Sequence, residues 1–185
     1  MGAALWFGEI VGGKAQRHDA LLRFCAEITG VAPERLTLAH NVFSAPLLLL
    51  DGEETGWRIS SASRGDIALF GLAHEKIGVD VELASPAEPA WNVLHEQEKA
   101  ALRALPEELR PEKFLRLWTA KEAYLKALGL GLRREPSEIC ILAQAGQFEV
   151  IDQGRKIATR EARLWREKAG ESQALCASVV LPALL

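Results

Sequence analysis

Residues 77–83 read IGVDVEL, and the two acids inside that apolar run decide how the rest of the chain is read. In a β-strand successive side chains point to opposite faces, so residues two apart share a face. Asp80 and Glu82 therefore lie on one side of the strand, and Ile77, Val79, Val81 and Leu83 on the other. Two neighbouring carboxylates repel, and each resists ionisation beside the other. Two readings satisfy the pattern. Either the acidic face meets water, as one face of an antiparallel sheet often does, or it holds a divalent cation, and hard oxygen ligands suit Mg2+.

The chain has 185 residues, 49% of them hydrophobic. That is enough to bury a sizeable core, as one domain or as two small lobes packed together. A net charge of -3, with Lys and Arg dispersed, argues against a nucleic-acid binder. Cys25, Cys140 and Cys176 show no zinc-binding spacing and are expected to be buried, reduced thiols of a cytoplasmic protein. The opening MGAALWFGEI lacks the basic region and long apolar run of a secretory leader. The longest apolar run, APLLLL at 45–50, is too short to cross a membrane. No GxxxxGK[ST] loop is present, which argues against a P-loop nucleotidase. His18, His40, His74 and His95 show no metal-like spacing, and the five tryptophans are expected in packing.

Working outward from IGVDVEL, periodicity predicts a strand at ALWFGEI and a helix over Lys14–Thr29. In that helix Ala20, Leu21, Phe24, Cys25 and Ile28 recur at helical spacing, and Gly30 stops it. Strands are predicted at RLTLAHNVF, APLLLL, WRIS and DIALFGLA, with DGEETG as a turn. After a Pro-rich loop at Ser85–Ala90, a helix is predicted over Trp91–Leu105 and another over Pro111–Leu128, ended by GLGL. SEICILA, QFEVI, EARLWRE and ALCASVVL read as strands. The fold class is therefore α+β, with helix and strands in each half. DIALFGLA and ALCASVVL loosely resemble one another, a weak sign of duplication.

The later helix reads KFLRLWTAKEAYLKALGLGL. At about 100° per residue, Phe114, Leu117, Trp118, Tyr124, Leu125 and Leu128 form one apolar arc. Lys121 falls near its middle, Glu122 at its edge, and Lys126 one turn beyond Glu122. A lysine on a core-facing stripe needs a partner or snorkels outward. Alternatively the stripe faces a cleft holding anions. Glu122 and Lys126 are an ordinary surface pair, or a metal ligand and a phosphate-binding cation.

Together GVDVE (Gly78–Glu82) and WTAKEAYLK (Trp118–Lys126), in this order and separation, resemble the 4'-phosphopantetheinyl transferase family. Its pattern is a Gly–(Val/Ile)–Asp–x–Glu strand followed by a Trp–x–x–Lys–Glu–x–x–x–Lys helix. The acidic strand lies well inside the chain, so the chain looks like the longer, Sfp-type branch. That resemblance implies two similar α+β halves forming a pseudo-dimer within one chain. Residues 1–76 would be the N-terminal half and 77–185 the C-terminal half carrying the metal site, packed as one globular unit. The implied reaction transfers 4'-phosphopantetheine from coenzyme A to a serine of an acyl or peptidyl carrier protein, releasing 3',5'-ADP. It implies Mg2+ on Asp80, Glu82 and Glu122, and charge stabilisation by Lys121 and Lys126 on the coenzyme A phosphates. It also implies proton abstraction by Glu122. A cytoplasmic monomer is expected, with no nucleic-acid or membrane partner. Fatty-acid, polyketide and peptide-synthetase carriers all remain open.

The chain departs from the pattern where the family carries Ser–His–Ser. Here ISSASRG places Ser61 or Ala62 at the histidine position, and Ala45 stands where a Gly–Lys–Pro lysine is usual. Arg64, Ser61 and Ser63 are the expected replacements at the nucleotide 3'-phosphate, with Lys14 or Arg17 nearby. Family members also usually have a further strand and helix before KAQRHDALLRF. The alternatives are a relative that binds coenzyme A or a carrier without efficient transfer, and an unrelated α+β interaction domain.

Overall fold

A computed structural model describes residues 2–39, 46–84, 88–130, 133–170 and 172–183. The first part of the chain runs β1 (Ala4–Glu9), α1 (Lys14–Thr29), β2 (Leu36–Ala39), β3 (Leu47–Leu50), β4 (Glu53–Arg64) and β5 (Ile67–Ala73). The second runs β6 (Lys76–Leu83), α2 (Glu96–Arg103), α3 (Arg110–Leu128), β7 (Ile139–Gln144), β8 (Gln147–Asp152), β9 (Arg155–Lys156), β10 (Glu161–Ala169) and β11 (Ser172–Leu181). Both sheets are antiparallel, ordered β1-β5-β4-β3-β2 and β6-β11-β10-β8-β7, with the short β9 beside β8. In each, the first strand pairs with the last and the others follow in descending order. This is the expected α+β arrangement of two similar halves. DIALFGLA and ALCASVVL become β5 and β11, at equivalent places in the two sheets.

The molecule has four layers. The buried side chains Leu21, Phe24 and Cys25 of α1 pack on one face of the first sheet, against Phe70 and Leu72. The other face, through Ile67, Leu69 and Ala73, packs on Ile77, Val79 and Val81 of β6 and on Cys176 and Val180 of β11. Beyond the second sheet, α3 packs through Leu117, Ala120 and Ala123 over Ala177 and Val179. Two glycines permit these approaches. A Cβ on Gly71 would stand 2.7 Å from Val79 Cγ1, and one on Gly78 would stand 1.8 Å from the carbonyl oxygen of Ala123. Such separations are far inside van der Waals contact, so β6 touches β5 on one face and the α3 backbone on the other.

Helix limits follow local chemistry. Gly30 and Gly129, at φ 69° and 71°, close α1 and α3 in the left-handed conformation that glycine adopts without steric cost. Four expectations change. Of DGEETG, read as a turn, only Asp51 and Gly52 turn, and Glu53–Gly56 begin β4. The helix predicted over Trp91–Leu105 is a 3-10 turn at Trp91–Val93 followed by α2, because His95 takes the N-cap: its Nδ1 accepts from Gln97 N at 3.3 Å. WRIS and the following ISSASRG link are one twelve-residue strand, β4, continuing to Arg64. Ile28, read as core, is 40% exposed in the last turn of α1. The end of RLTLAHNVF, Ala45, part of the Pro-rich loop and the second half of GLGL lie outside the described residues. Cys25, Cys140 and Cys176 are free and buried. No helix among the described residues is long and apolar enough to cross a membrane.

Candidate active site

β6 is buried on both faces from Ile77 to Glu82, so its acids do not form a solvated surface. Strand alternation sends Ile77, Val79 and Val81 into the core between the sheets. It turns Gly78, Asp80 and Glu82 toward α3. The missing side chain of Gly78 lets α3 lie directly on the strand at Ala123 and Ala127. That contact brings Glu122 and Lys126, one turn apart, over Asp80. Lys126 Nζ donates to Asp80 Oδ1 at 2.7 Å. The outer edge of β6 is closed by β4: Val79 N donates to Ser60 Oγ at 3.0 Å, and Arg64 reaches Glu82 from the end of the same strand.

The electrostatics follow from burial of three acids together. Desolvation pushes Asp80 up to about 6; Lys126 opposes that rise, and Glu82 and Glu122 add to it. Glu122 is likewise raised, chiefly by burial, with Glu82 adding and Lys126 and Arg64 opposing. Arg64 is held further into its charged range, first by its hydrogen bond to Glu82 and then by the other acids. Asp80 Oδ2 and Glu122 Oε1 are buried and accept no hydrogen bond. Oxygens left so are costly unless something fills them, and oxygen donors of this hardness fit a divalent cation such as Mg2+. As the side chains stand, no three His, Cys, Asp or Glu among the described residues converge as metal ligands. Both oxygens of Glu82 are engaged by Arg64, and Oδ1 of Asp80 by Lys126.

Lys121 is not where its expected phosphate role requires. Consecutive helix residues diverge by about 100°, so it cannot share the direction of Glu122. It is fully buried on the opposite side of α3, where Nζ pairs with Glu98 Oε2 at 2.8 Å. It also donates to the carbonyls of Pro136, at 2.8 Å, and Ile139. Burial depresses its basicity, and Glu98 opposes that shift. Glu98 accepts further from His95 N and Ile141 N, each at 2.8 Å, so this ion pair ties α2, α3 and β7 together. The sequence reading missed Glu98. Its signal was its place three residues after a capping position, where a carboxylate turns back onto the helix start.

Ser61 and Ser63, expected at the nucleotide 3'-phosphate, do not join the acids. They pair with Phe70 and Ala68, whose side chains face α1, whereas Ser60, Ala62 and Arg64 face β6. Lys14 is exposed at the start of α1, the helix on that far side. Asp80, Glu82, Glu122, Lys126 and Arg64 are thus brought together, and Lys121, Ser61, Ser63 and Lys14 are not.

The family model of the 4'-phosphopantetheinyl transferase superfamily matches residues 76–180, more than half of the chain, spanning β6 to β11. HetI, a 4'-phosphopantetheinyl transferase of Nostoc sp., is 30% identical over 118 residues, which are 60% of this chain and 50% of HetI. The 4'-phosphopantetheinyl transferase gsp of Aneurinibacillus migulanus is 23% identical over 136 residues, 72% of this chain and 55% of gsp. The Synechocystis sp. protein slr0495 is 34% identical over 105 residues, 54% of this chain and 42% of its own length. The chain thus spans about half the length of the curated relatives it matches. The crystal structure of Thermotoga maritima holo-[acyl-carrier-protein] synthase overlaps 58% of this chain and 64% of that one, at 19% identity and a TM-score of 0.42. On the match that runs from the acidic strand through the Lys–Glu helix to the last strand, the chain belongs to the 4'-phosphopantetheinyl transferase superfamily.

Proposed function

We propose that the chain transfers the 4'-phosphopantetheine group of coenzyme A to a serine of an acyl or peptidyl carrier protein. The observation that supports this best is the pair of buried, unpartnered oxygens on Asp80 and Glu122, between Lys126 and Arg64. In the reaction the serine oxygen bonds the β-phosphorus, the bond from that phosphorus to the bridging oxygen breaks, and 3',5'-ADP leaves with the electron pair. Glu122, whose Oε1 is buried with no hydrogen-bond partner, takes the serine proton. Lys126 gives up Asp80 and stabilises charge on the phosphates. Asp80, Glu82 and Glu122 would hold Mg2+, which when bound supplies positive charge to the pyrophosphate. Arg64 comes from the first half and the acids from the second, and the same reading takes the chain to act as a monomer. A cytoplasmic location belongs to the same reading.

Incubation with apo carrier protein, coenzyme A and Mg2+ should yield a phosphopantetheine adduct by intact-mass spectrometry. Glu122→Gln should slow adduct formation by about 10²–10⁴-fold, the usual share of a positioned base. No adduct on fatty-acid, polyketide or peptide-synthetase carriers would end this reading. A second reading, binding without efficient transfer, is favoured by Ser61 and Ser63 facing away from the acids. It predicts coenzyme A binding in calorimetry with no adduct.

A further inference from the structure

Arg64 lies outside the two family motifs, yet it makes the most specific contact in the site. Its Nε donates to Glu82 Oε2 at 2.5 Å and a second guanidinium nitrogen donates to Oε1 at 2.7 Å. Both oxygens of one proposed cation ligand are therefore taken by one fork, from the other half of the molecule. The Glu82 side chain is 10% exposed and that of Arg64 56%. The carboxylate sits inside and the guanidinium at the mouth. Asp80 and Glu122 next to it each keep a buried oxygen with no partner.

Three carboxylates here face two cationic side chains. Lys126 holds one oxygen of Asp80 and leaves the other free; Arg64 leaves Glu82 none. A guanidinium fork at both oxygens occupies lone pairs of the carboxylate and sets a positive charge beside them, so it competes with a metal ion for that ligand. A planar guanidinium freed at the mouth is matched to phosphate oxygens in the same two-pronged way and keeps its charge at every working pH.

We infer that Arg64 is an exchangeable counter-ion: it neutralises Glu82 while the site is free of cation, and on cation binding it leaves Glu82 for the phosphates of the co-substrate. This rests on the proposed function and adds a coupling between cation and nucleotide that runs through one side chain. Linkage gives the sign. Removing Arg64 removes a competitor for Glu82 and leaves the acids with less neutralising charge, so cation affinity rises. It also removes a phosphate donor, so coenzyme A affinity falls. An arginine that merely braces the fold would move neither affinity, or lower both.

The test uses the whole chain, freed of metal by chelator, with Mn2+ as the cation probe. Mn2+ binding is titrated by electron paramagnetic resonance without nucleotide, and coenzyme A binding is measured by calorimetry on Mn2+-saturated protein. Arg64→Ala should bind Mn2+ about 5-fold more tightly than the unaltered chain and coenzyme A about 5-fold more weakly, the scale of a partly exposed ion pair. Arg64→Lys, which keeps the charge without the fork, should fall between the two in both titrations. It serves alone if Arg64→Ala lacks the melting transition of the unaltered chain. Folded variants whose two affinities move together, or not at all, overturn the exchange while leaving the proposed function standing. Failure of the unaltered chain to bind either Mn2+ or coenzyme A overturns both.

Discussion

Lys121 and Lys126 share one motif and one helix, yet their surroundings make them different kinds of residue. Lys126 sits at the edge of the site on Asp80, part-exposed at 29%. Lys121 is enclosed with Glu98 and two carbonyls. Removing one partner of such a pair strands a buried charge, which typically costs about 3–5 kcal/mol. Lys121→Met should therefore lower the urea midpoint sharply, and adding Glu98→Gln should restore part of the loss, because Gln still meets His95 N or Ile141 N without a charge. A Lys121 variant as stable as the unaltered chain would show that the pair is not structural. Asp80 makes a pH prediction. Its folded-state value of about 6 stands above the ordinary 3.8, so the folded chain binds this proton more tightly than the unfolded one. The contribution is full below the unfolded value and is lost as pH rises through about 6. In chelator, unfolding free energy should show this fall between about pH 4 and pH 6, and Asp80→Asn should reduce it, leaving the part that the likewise raised Glu122 contributes.

At the scale of elements, the site depends on how closely α3 lies on β6. With the α3 backbone directly on Gly78, any side chain there must push the helix away. Overpacking of this kind typically costs about 1–3 kcal/mol, and the displacement also carries Glu122 and Lys126 away from Asp80. Gly78→Ala should lower the melting temperature and abolish transfer in whatever protein remains folded. Full activity in that variant would mean the helix tolerates the shift and that the site is set otherwise.

At the scale of the whole molecule, the two halves share the core between their sheets. Leu69 of β5 is fully buried there against side chains of β6 and β11. Leu69→Ala should destabilise the chain by about 2–5 kcal/mol. The five tryptophans divide between the halves, Trp6 and Trp57 in the first and Trp91, Trp118 and Trp165 in the second. Fluorescence therefore reports on both. Its unfolding curve should coincide with that of circular dichroism in one transition, for the unaltered chain and for Leu69→Ala. Two separated transitions would show halves that fold independently.

Periodicity along the sequence determined most of the elements, since alternation and helical spacing are local properties that burial merely reads out. It placed α1 and its glycine stop, the acidic strand, and the helix carrying Glu122 and Lys126. Local spacing also put Glu122 and Lys126 on one face, because residues four apart on a helix are neighbours. What it could not decide was which direction each face takes. Only the packing of α3 on Gly78 sent Glu122 toward Asp80 and Lys121 toward Glu98. Only the pairing of β4 with β5 sent Arg64 toward Glu82 and Ser61 and Ser63 to the far face. These contacts join residues from 18 to 46 apart in the chain. The free energy that selects them comes from burying two sheet faces and a helix together, which no stretch of sequence does alone.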